Sequence, residues 1–304
     1  MKKYINNLDK KNQLYIYLSI ILLLIFVISI TSMSKGIVEI SFIEMFRLFF
    51  SDSTTVDSTN KSILLDIRLP RILLSFFVGL ALSISGAVMQ GIFRNPLADP
   101  SILGVSAGAA LGAVVPLSLA IHTAHLLIVP AFSFIGGLIA SILVYLIFIF
   151  TFKKSNTILL LAGIAIGSFL NALITLSVYL SENPFQMRSI FYWLIGGFES
   201  TRWEHLTISL PVIIFSMLFL IYKSKEINLI MIGDDYASSV GINVNRTLLF
   251  CLFFTSLATS AAVSVSGILA FVGLVVPHIV RMIVGNDNRQ VLLLSAFFGG
   301  FFVV

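Results

Sequence analysis

Ser106 stands in the pattern Gly104-x-Ser106-x-Gly108, which matches the GxSxG turn that presents the nucleophile of many serine hydrolases. A membrane-embedded hydrolase would also need a histidine near Ser106, and the chain has four histidines as candidates. The strand, turn and helix that normally surround such a serine are not predicted here. Gly104, Gly108 and Gly112 instead recur every four residues, a spacing that lets helix backbones approach closely. We interpret these glycines as a packing stripe and keep the hydrolase as an alternative.

A second candidate site is the acidic pair Asp234 and Asp235. Two aspartates could contribute to a magnesium site of a prenyltransferase, but no third acidic residue follows at the required spacing. An aspartate that caps a helix N-terminus explains the pair better, and Gly241 suits the residue that follows a helix. The interval 233–241 therefore predicts a short polar helix in a cytosolic loop. It could dock a cytosolic partner or be a simple connection.

Two arginines, Arg68 and Arg71, flank Pro70 where an apolar segment begins. Proline fits the first turn of a helix because its missing N–H is unneeded there. An arginine at the bilayer centre costs about 2.5 to 3.5 kcal/mol on insertion scales, so both should lie at the membrane rim. They could extend to lipid headgroups or pair with carboxylates of an external protein.

Polar residues also follow one side of a later apolar segment. Ser168, Asn171 and Thr175 are three and four residues apart, so they form a stripe along one helix face. Hydrogen bonds between helices, worth roughly 0.6 kcal/mol each, explain such a stripe, and so does a substrate pathway. Asn156 and Thr157 precede this helix at its cytoplasmic edge and could narrow an inner exit.

The composition places these residues in a membrane protein. Only 11% of the 304 residues are charged and 58% are hydrophobic, and the mean hydropathy is +1.04. A soluble protein of this length needs more charge, roughly 25% of its residues, to cover its surface. The formal net charge is +5, but no soluble domain carries a basic patch that would bind nucleic acid. The single cysteine, Cys251, excludes a disulfide framework and a cysteine-based metal site.

We predict an all-α polytopic helix bundle that forms one transmembrane domain over residues 1–304. At about 20 residues per crossing, eight full spans and part of a ninth are predicted. They fall near 14–30, 72–92, 101–121, 126–150, 157–180, 206–222, 247–266 and 268–284, with the partial ninth at 291–304. Twelve of the 19 basic residues lie in segments that are cytoplasmic if the N-terminus is inside, and the positive-inside rule favours that orientation.

Taken in order, six stretches resemble the permeases of bacterial ABC (ATP-binding cassette) importers for iron siderophores, haem and cobalamin, the FecCD-type permeases. The sequence reads RLPR from Arg68, SGAVMQGIFRNPLADPSILGVS from Ser85 and LLLAGIAIG from Leu159. It then reads WLIGGF from Trp193, IGDDYASSVGIN from Ile232 and GILAFVGLVVPHIVR from Gly267. These stretches span most of the chain in the family's order.

The resemblance implies a ten-helix permease in the bacterial cytoplasmic membrane that works with a second permease subunit, as a homodimer or heterodimer. It implies two cytosolic ATPase subunits, which bind the ATP and magnesium, and an external substrate-binding protein. The chain itself has no phosphate-binding GxxxxGK[ST] loop, so we expect no cofactor in it and no enzymatic activity of its own. The expected cargo is an iron complex, a siderophore or haem, with cobalamin as the alternative.

The resemblance also implies roles for individual residues. Arg68 and Arg71 correspond to arginines that dock the binding protein, and Asn156 and Thr157 correspond to the cytoplasmic gate. The residues expected to couple to the ATPase are Gly233, Asp234, Asp235, Ala237, Ser238 and Gly241. The rest of the ninth helix and the tenth are absent from this sequence, and we expect a chain without them not to transport.

Overall fold

The computed structural model of the chain describes residues 10–50, 58–151, 156–181 and 183–304, and every regular element in these ranges is a helix. The helices of the first half are α1 Lys10–Ser34, α2 Phe42–Phe50, α3 Ser58–Ser62, α4 Leu69–Phe93, α5 Val105–Ser118, α6 Ile128–Phe150 and α7 Asn156–Tyr179. Those of the second half are α8 Pro184–Ile195, α9 Trp203–Tyr222, α10 Ser224–Ile232, α11 Asp234–Ser239, α12 Val244–Ser266, α13 Val272–Val284 and α14 Asn288–Val303. The predicted all-α bundle is confirmed.

Six of the described helices are long and apolar enough to cross a membrane, where the sequence predicts eight full crossings. The predicted spans at 101–121 and 268–284 form the 14-residue helix α5 and the 13-residue helix α13. At 1.5 Å per residue these are about 20 Å long, against about 30 Å for a hydrocarbon core. "Inner" and "outer" below refer to the predicted orientation; Lys2, Lys3, Lys153 and Lys154, which contribute to it, lie outside the described residues.

Non-helical segments shorten α5 and α13. A 3₁₀ turn, Pro100–Leu103, precedes α5 and ends at Gly104, which has a positive φ of 71°. Before α13, Gly267 and Phe271 have positive φ values of 69° and 68°. The two segments line opposite sides of one cavity of about 300 Å³. Non-helical backbone at membrane depth is tolerated where it is buried in protein or lines such a cavity.

Helix α4 is the centre of the bundle. It forms the end of a continuous 35-residue helix from Thr59, and 78% of the most apolar window of that helix is buried, against 0% for α1 and 22% each for α6 and α7. The main packing partners of α4 are α9, α12, α13 and α14, and α10 also contacts it. Because a membrane offers little hydrophobic drive between helices, the contacts depend on close packing. A central α4 leaves α1, α6 and α7 with large faces open to lipid or to another subunit.

Glycines set the closest approaches to α4. A Cβ on Gly86 would collide with the carbonyl of Gly273 in α13, and one on Gly79 would collide with the carbonyl of Gly299 in α14. The opposing atoms belong to backbone, so no change of rotamer can make room. These two contacts hold three helices backbone to backbone.

Glycines spaced four residues apart, which include the predicted stripe on α5, pack only partly as that spacing suggests. Gly108 and Gly112 of α5 lie directly against the α6 backbone, as predicted, while Gly104 serves the turn before the helix instead. On α7, Gly163 lies against the carbonyl of Ile102, but a Cβ on Gly167 would meet no atom within 4 Å. Spacing alone does not show which end of a stripe reaches a neighbour.

The second span begins earlier than the predicted residue 72, because a π-helical turn, Ile63–Arg68, joins α3 to α4. The Leu69 N–H donates to the carbonyl of Leu64, five residues back. In an uninterrupted α-helix the Pro70 ring would clash with the carbonyl of Asp66, and the wider turn relieves that clash. Arg68 and Arg71 therefore lie within a helix and not before it.

We expect Gly86→Leu to lower the thermal stability of the purified protein sharply, because overpacking against a backbone carbonyl costs about 3 kcal/mol or more. For a chain of this size that corresponds to a midpoint about 5 °C lower or more. Gly167→Leu adds the same side chain where no atom lies within 4 Å and is the matched control. Equal midpoints for the two variants, measured in detergent by tryptophan fluorescence, would contradict the packing assigned to Gly86.

Candidate functional site

Helices α10 and α11 form an angled pair at the inner face, joined at Gly233, whose backbone is extended with φ 165° and ψ 146°. Gly233 is the N-cap of α11, and no side chain caps the helix. The predicted capping role of Asp234 is therefore wrong: Asp234 is the first residue of α11, and its carboxylate pairs with Arg94. Gly241 follows the C-cap with a φ of 89°, as the sequence predicts.

Arg94 ties this helix pair to the bundle. It ends α4 in the left-handed conformation, with φ 52°, and its Nε donates to the carbonyl of Ile230 at 2.9 Å. Its guanidinium also pairs with the Asp234 carboxylate. Arg94 is not among the site residues predicted from the sequence. The dipeptide Arg94-Asn95 at the end of an apolar run, opposite an acidic loop, was the signal available.

Three exposed apolar side chains, here called the apolar row, lie along the α10–α11 pair. Ile232 is the last residue of α10, Tyr236 lies in α11 and Val240 is the C-cap of α11, and the three side chains are 68%, 49% and 50% exposed. Asp235 and Ser238 are exposed beside the row, while Ala237 is fully buried beneath it. Large apolar side chains presented together on a polar helix are typical of an interaction surface.

A charged cluster fixes the other end of α10. Lys223 Nζ lies 2.6 Å from Glu226 Oε1, and the Thr247 hydroxyl donates to Glu226 Oε2. Burial alone would raise the pKa of Glu226, but the bonds from Lys223 and Thr247 outweigh it and lower the pKa. A lowered carboxylate pKa adds stability above its unfolded value, and this stability is lost as the pH falls through the folded value. The cluster therefore joins α10 to α12 at neutral pH.

At the outer face, Arg68 and Arg71 differ in their surroundings. Arg68 is 9% exposed, and its guanidinium donates to the carbonyls of Met33 and Val38. It therefore holds the segment after α1, which Ser34 and Ile40 close by two further hydrogen bonds of 2.9 and 3.1 Å. Arg71 is half-buried, and its Nη2 donates to the Glu199 carbonyl at 3.0 Å. Of the two, Arg71 is the less buried, although its Nε is enclosed and has no hydrogen-bond partner among the described residues.

Helix α7 turns its polar stripe away from the described part of the chain. Ser168, Asn171 and Thr175 are all exposed, and the Thr175 hydroxyl donates to the Asn171 carbonyl of its own helix. Hydrogen bonding to a helix of the same chain, one of the two explanations of the stripe, is thus not what these side chains do. Thr157, near the start of α7, is exposed, and the Asn156 side chain lies outside what the structure describes.

Ser106 is half-buried and lines the cavity between the two non-helical segments. The lining of that cavity includes Asp99, Ser101 and Thr259 but no histidine. The base that a serine nucleophile requires is therefore not beside Ser106 in the described structure. Gly104 occupies a turn and Gly108 packs on α6, so the GxSxG pattern has a structural explanation.

The comparisons with known proteins agree with this architecture. The model of the FecCD transport family matches residues 21–304. The cobalamin import system permease protein of Halobacterium salinarum is 42% identical over 82% of this chain and 66% of that relative. The hemin transport system permease protein of Yersinia pestis is 36% identical over 93% of this chain and 83% of that relative.

A solved structure shows the same fold. An inward-facing metal-chelate type ABC transporter superposes with a TM-score of 0.84 and 28% identity, and the match covers 95% of this chain and 88% of that one. The family match extends over most of the described helices, including α4, α7, α11 and α13. The chain therefore belongs to the FecCD transport family, and it is a permease subunit of an ABC importer and not a catalytic subunit.

Proposed function

We propose that the chain pairs with a second permease subunit, in a homodimer or heterodimer, to carry an iron complex across the cytoplasmic membrane with its N-terminus inside. Two cytosolic ATPase subunits drive the cycle, and an external binding protein delivers a siderophore or haem. The observation that carries this proposal is the α10–α11 pair, which presents an exposed apolar row at the inner face of a FecCD-type bundle.

The apolar row is the proposed docking surface for an ATPase subunit. Ile232, Tyr236 and Val240 are apolar and exposed at a face that lies outside the long spans. Tyrosine is one of the residue types that carry most of the binding energy in protein interfaces. Gly233, Asp234, Asp235, Ala237, Ser238 and Gly241 shape and flank the row, so we assign them to ATPase coupling. The Arg94 tether resists tilting of α11 on the bundle.

The exposed face of α7 is the proposed wall of the pathway. Its polar stripe, Ser168, Asn171 and Thr175, lies on a helix of which only 22% of the apolar window is buried. Facing the second subunit would cover this surface and give the three side chains a hydrated passage between the subunits. Asn156 and Thr157, at the inner end of the same helix, would form the cytoplasmic gate.

The cargo has two candidates. Relatives that carry iron complexes include the hemin permease of Yersinia pestis and the iron-uptake system permease of Bacillus subtilis, each 36% identical. The cobalamin permease of Halobacterium salinarum, at 42% identity, favours cobalamin as the second candidate. A passage lined by small polar and apolar groups recognises a bulky cargo weakly, so the external protein selects it.

Uptake in vesicles tests the proposal. The full-length permease, with the ninth and tenth helices that the resemblance implies, is reconstituted with the ATPase and binding protein encoded beside its gene, and the binding protein is loaded with a ferric siderophore, haem or cobalamin. We expect ATP-dependent uptake of an iron complex, because the cycle needs differential partner affinities between two states. Uptake of cobalamin alone would support the second candidate. Uptake that needs no ATP, or none of any cargo, would overturn the proposal.

The docking surface on α11 makes a separate prediction. Tyr236→Asp should weaken association with the ATPase subunits about tenfold or more, because removing a large interface anchor costs roughly 2 kcal/mol. Ser239→Asp places the same charge on the same helix outside the apolar row and should change association little. Association is measured by titrating the purified ATPase onto permease in nanodiscs, and equal affinities would show that the row is not the docking surface.

Arg71, at the outer rim, gives another testable prediction. Arg71→Gln keeps an amide donor for the Glu199 carbonyl but removes the charge, so we expect the binding protein to bind about tenfold more weakly at low salt, mainly through a slower association rate. Lys61→Gln removes an exposed charge elsewhere on the outer side and serves as the control.

Arg68→Gln separates docking from structure at the same rim. Since the Arg68 guanidinium donates hydrogen bonds to the Met33 and Val38 carbonyls, we expect this change to speed hydrogen exchange in residues 34–40.

The Arg71 prediction has its own contrary outcome. If Arg71→Gln binds the external protein as tightly as the unchanged chain at every salt concentration, Arg71 is not a docking residue.

A further inference from the structure

A polar cluster at the inner face joins α10 to the bundle by a second route, separate from Arg94. It consists of Asn228 of α10, Arg281 of α13, Asp287 in the turn before α14, and Asn288, the first residue of α14. Asn288 is fully buried. A buried polar group costs free energy unless it is hydrogen-bonded, so the bonding within this cluster decides what it does.

Asn228 is the centre of the cluster. Its Nδ2 donates to Asp287 Oδ1 at 2.7 Å, and its Oδ1 accepts from both the backbone N and the Nδ2 of Asn288 at 2.8 Å each. One side chain of α10 thus makes three hydrogen bonds to the start of α14. Asp287 Oδ1 also accepts from the Arg289 N–H at 3.1 Å and so caps α14. Moving α10 without α14 would break all three bonds.

Arg281 extends the cluster to α13 and α4. Its Nη2 donates to Asn288 Oδ1 at 2.8 Å and to the Ala87 carbonyl of α4 at 2.9 Å. Ala87 follows Gly86, where α4 and α13 meet backbone to backbone. The Asn228, Asn288 and Arg281 side chains therefore form a continuous chain of bonds from α10 to the closest helix contact in the bundle.

Gly91 of α4 provides the space for this cluster. A Cβ there would lie 2.8 Å from Ile227 Cγ2 of α10, 3.5 Å from Asn288 Oδ1 and 3.6 Å from Arg281 Nη2. Helix α10 can thus lie directly on α4 at the level of the cluster. The bonds are partly buried and 2.7 to 2.9 Å long, and breaking one leaves a polar group without its partner. The cluster therefore resists sliding between α10 and the bundle.

We propose that Asn228, Arg281 and Asn288 are positioning residues that transmit displacement of the α10–α11 pair to α4, α13 and α14 during transport. This inference rests on the proposed function, since the displacement comes from the docked ATPase subunits. Arg94 holds the pair to the end of α4, whereas the cluster connects it to the bundle interior. Without the cluster, the ATPase would still dock and hydrolyse ATP, but the bundle would follow its movement less closely.

The test compares uptake with ATP hydrolysis in the reconstituted importer described above. Asn228→Asp sets a carboxylate against the Asp287 carboxylate, so we expect cargo moved per ATP to fall about tenfold. Combining it with Asp287→Asn restores a donor and an acceptor with their roles exchanged, and an asparagine at residue 287 can still cap α14. The double variant should recover most of the coupling. Asn245→Asp, the same change at an exposed inner-face position, is the control.

Two further measurements separate coupling from structure: ATPase affinity and the thermal midpoint of the complex, both expected to stay within twofold and about 2 °C of the unchanged protein. Unchanged cargo per ATP in Asn228→Asp would overturn the inference. So would a loss of uptake that simply follows lost ATPase affinity or stability, or a double variant that is no better coupled than the single one. If the unchanged chain shows no ATP-driven uptake, the proposed function itself fails and this inference falls with it.

Discussion

The close contact between backbones around α4 is the constraint on which the rest of the structure depends. Gly79 and Gly86 bring α14 and α13 against α4 with no side chain between them. Helix α13, one of these close neighbours, is shortened by the non-helical residues that precede it. That segment lies beside the turn before α5 and shares a cavity with it. The short helices and the cavity thus accompany one tightly packed centre.

The regular spans are predicted well from the sequence because each is a long run of apolar residues, which a hydropathy average detects directly. The expected spans 126–150, 157–180 and 247–266 agree within three residues with Ile128–Phe150, Asn156–Tyr179 and Val244–Ser266. The prediction from hydropathy fails where apolar residues are not helical, because the segment after Gly267 is as apolar as a span. Hydropathy also places the start of the second span too late. A charged residue such as Arg68 is assigned to a loop when its hydrogen bonds to the Met33 and Val38 carbonyls are not known.

The candidate site was predictable in position but not in its contacts. The glycines at 233 and 241 bound the short helix α11 almost as expected, because local rules govern caps and turns. The partners of Asp234 and Asn228 come from residues 140 and about 60 positions away, Arg94 and the Asp287–Asn288 turn. Such pairings follow from tertiary packing, which a single sequence does not report. The polar stripe of α7 was found by its spacing, and only the fold shows that it faces away from the chain.

Arg94 performs two tasks that favour different amino acids. Its backbone ends α4 in a left-handed conformation, which glycine adopts most easily. Its side chain holds Ile230 and Asp234, which glycine could not do and lysine could do only in part, lacking the guanidinium's fixed set of donors. Selection at this position must therefore accept a strained helix end in return for the tether. Inherited variation at residue 94 would report which of the two tasks matters more to the living cell.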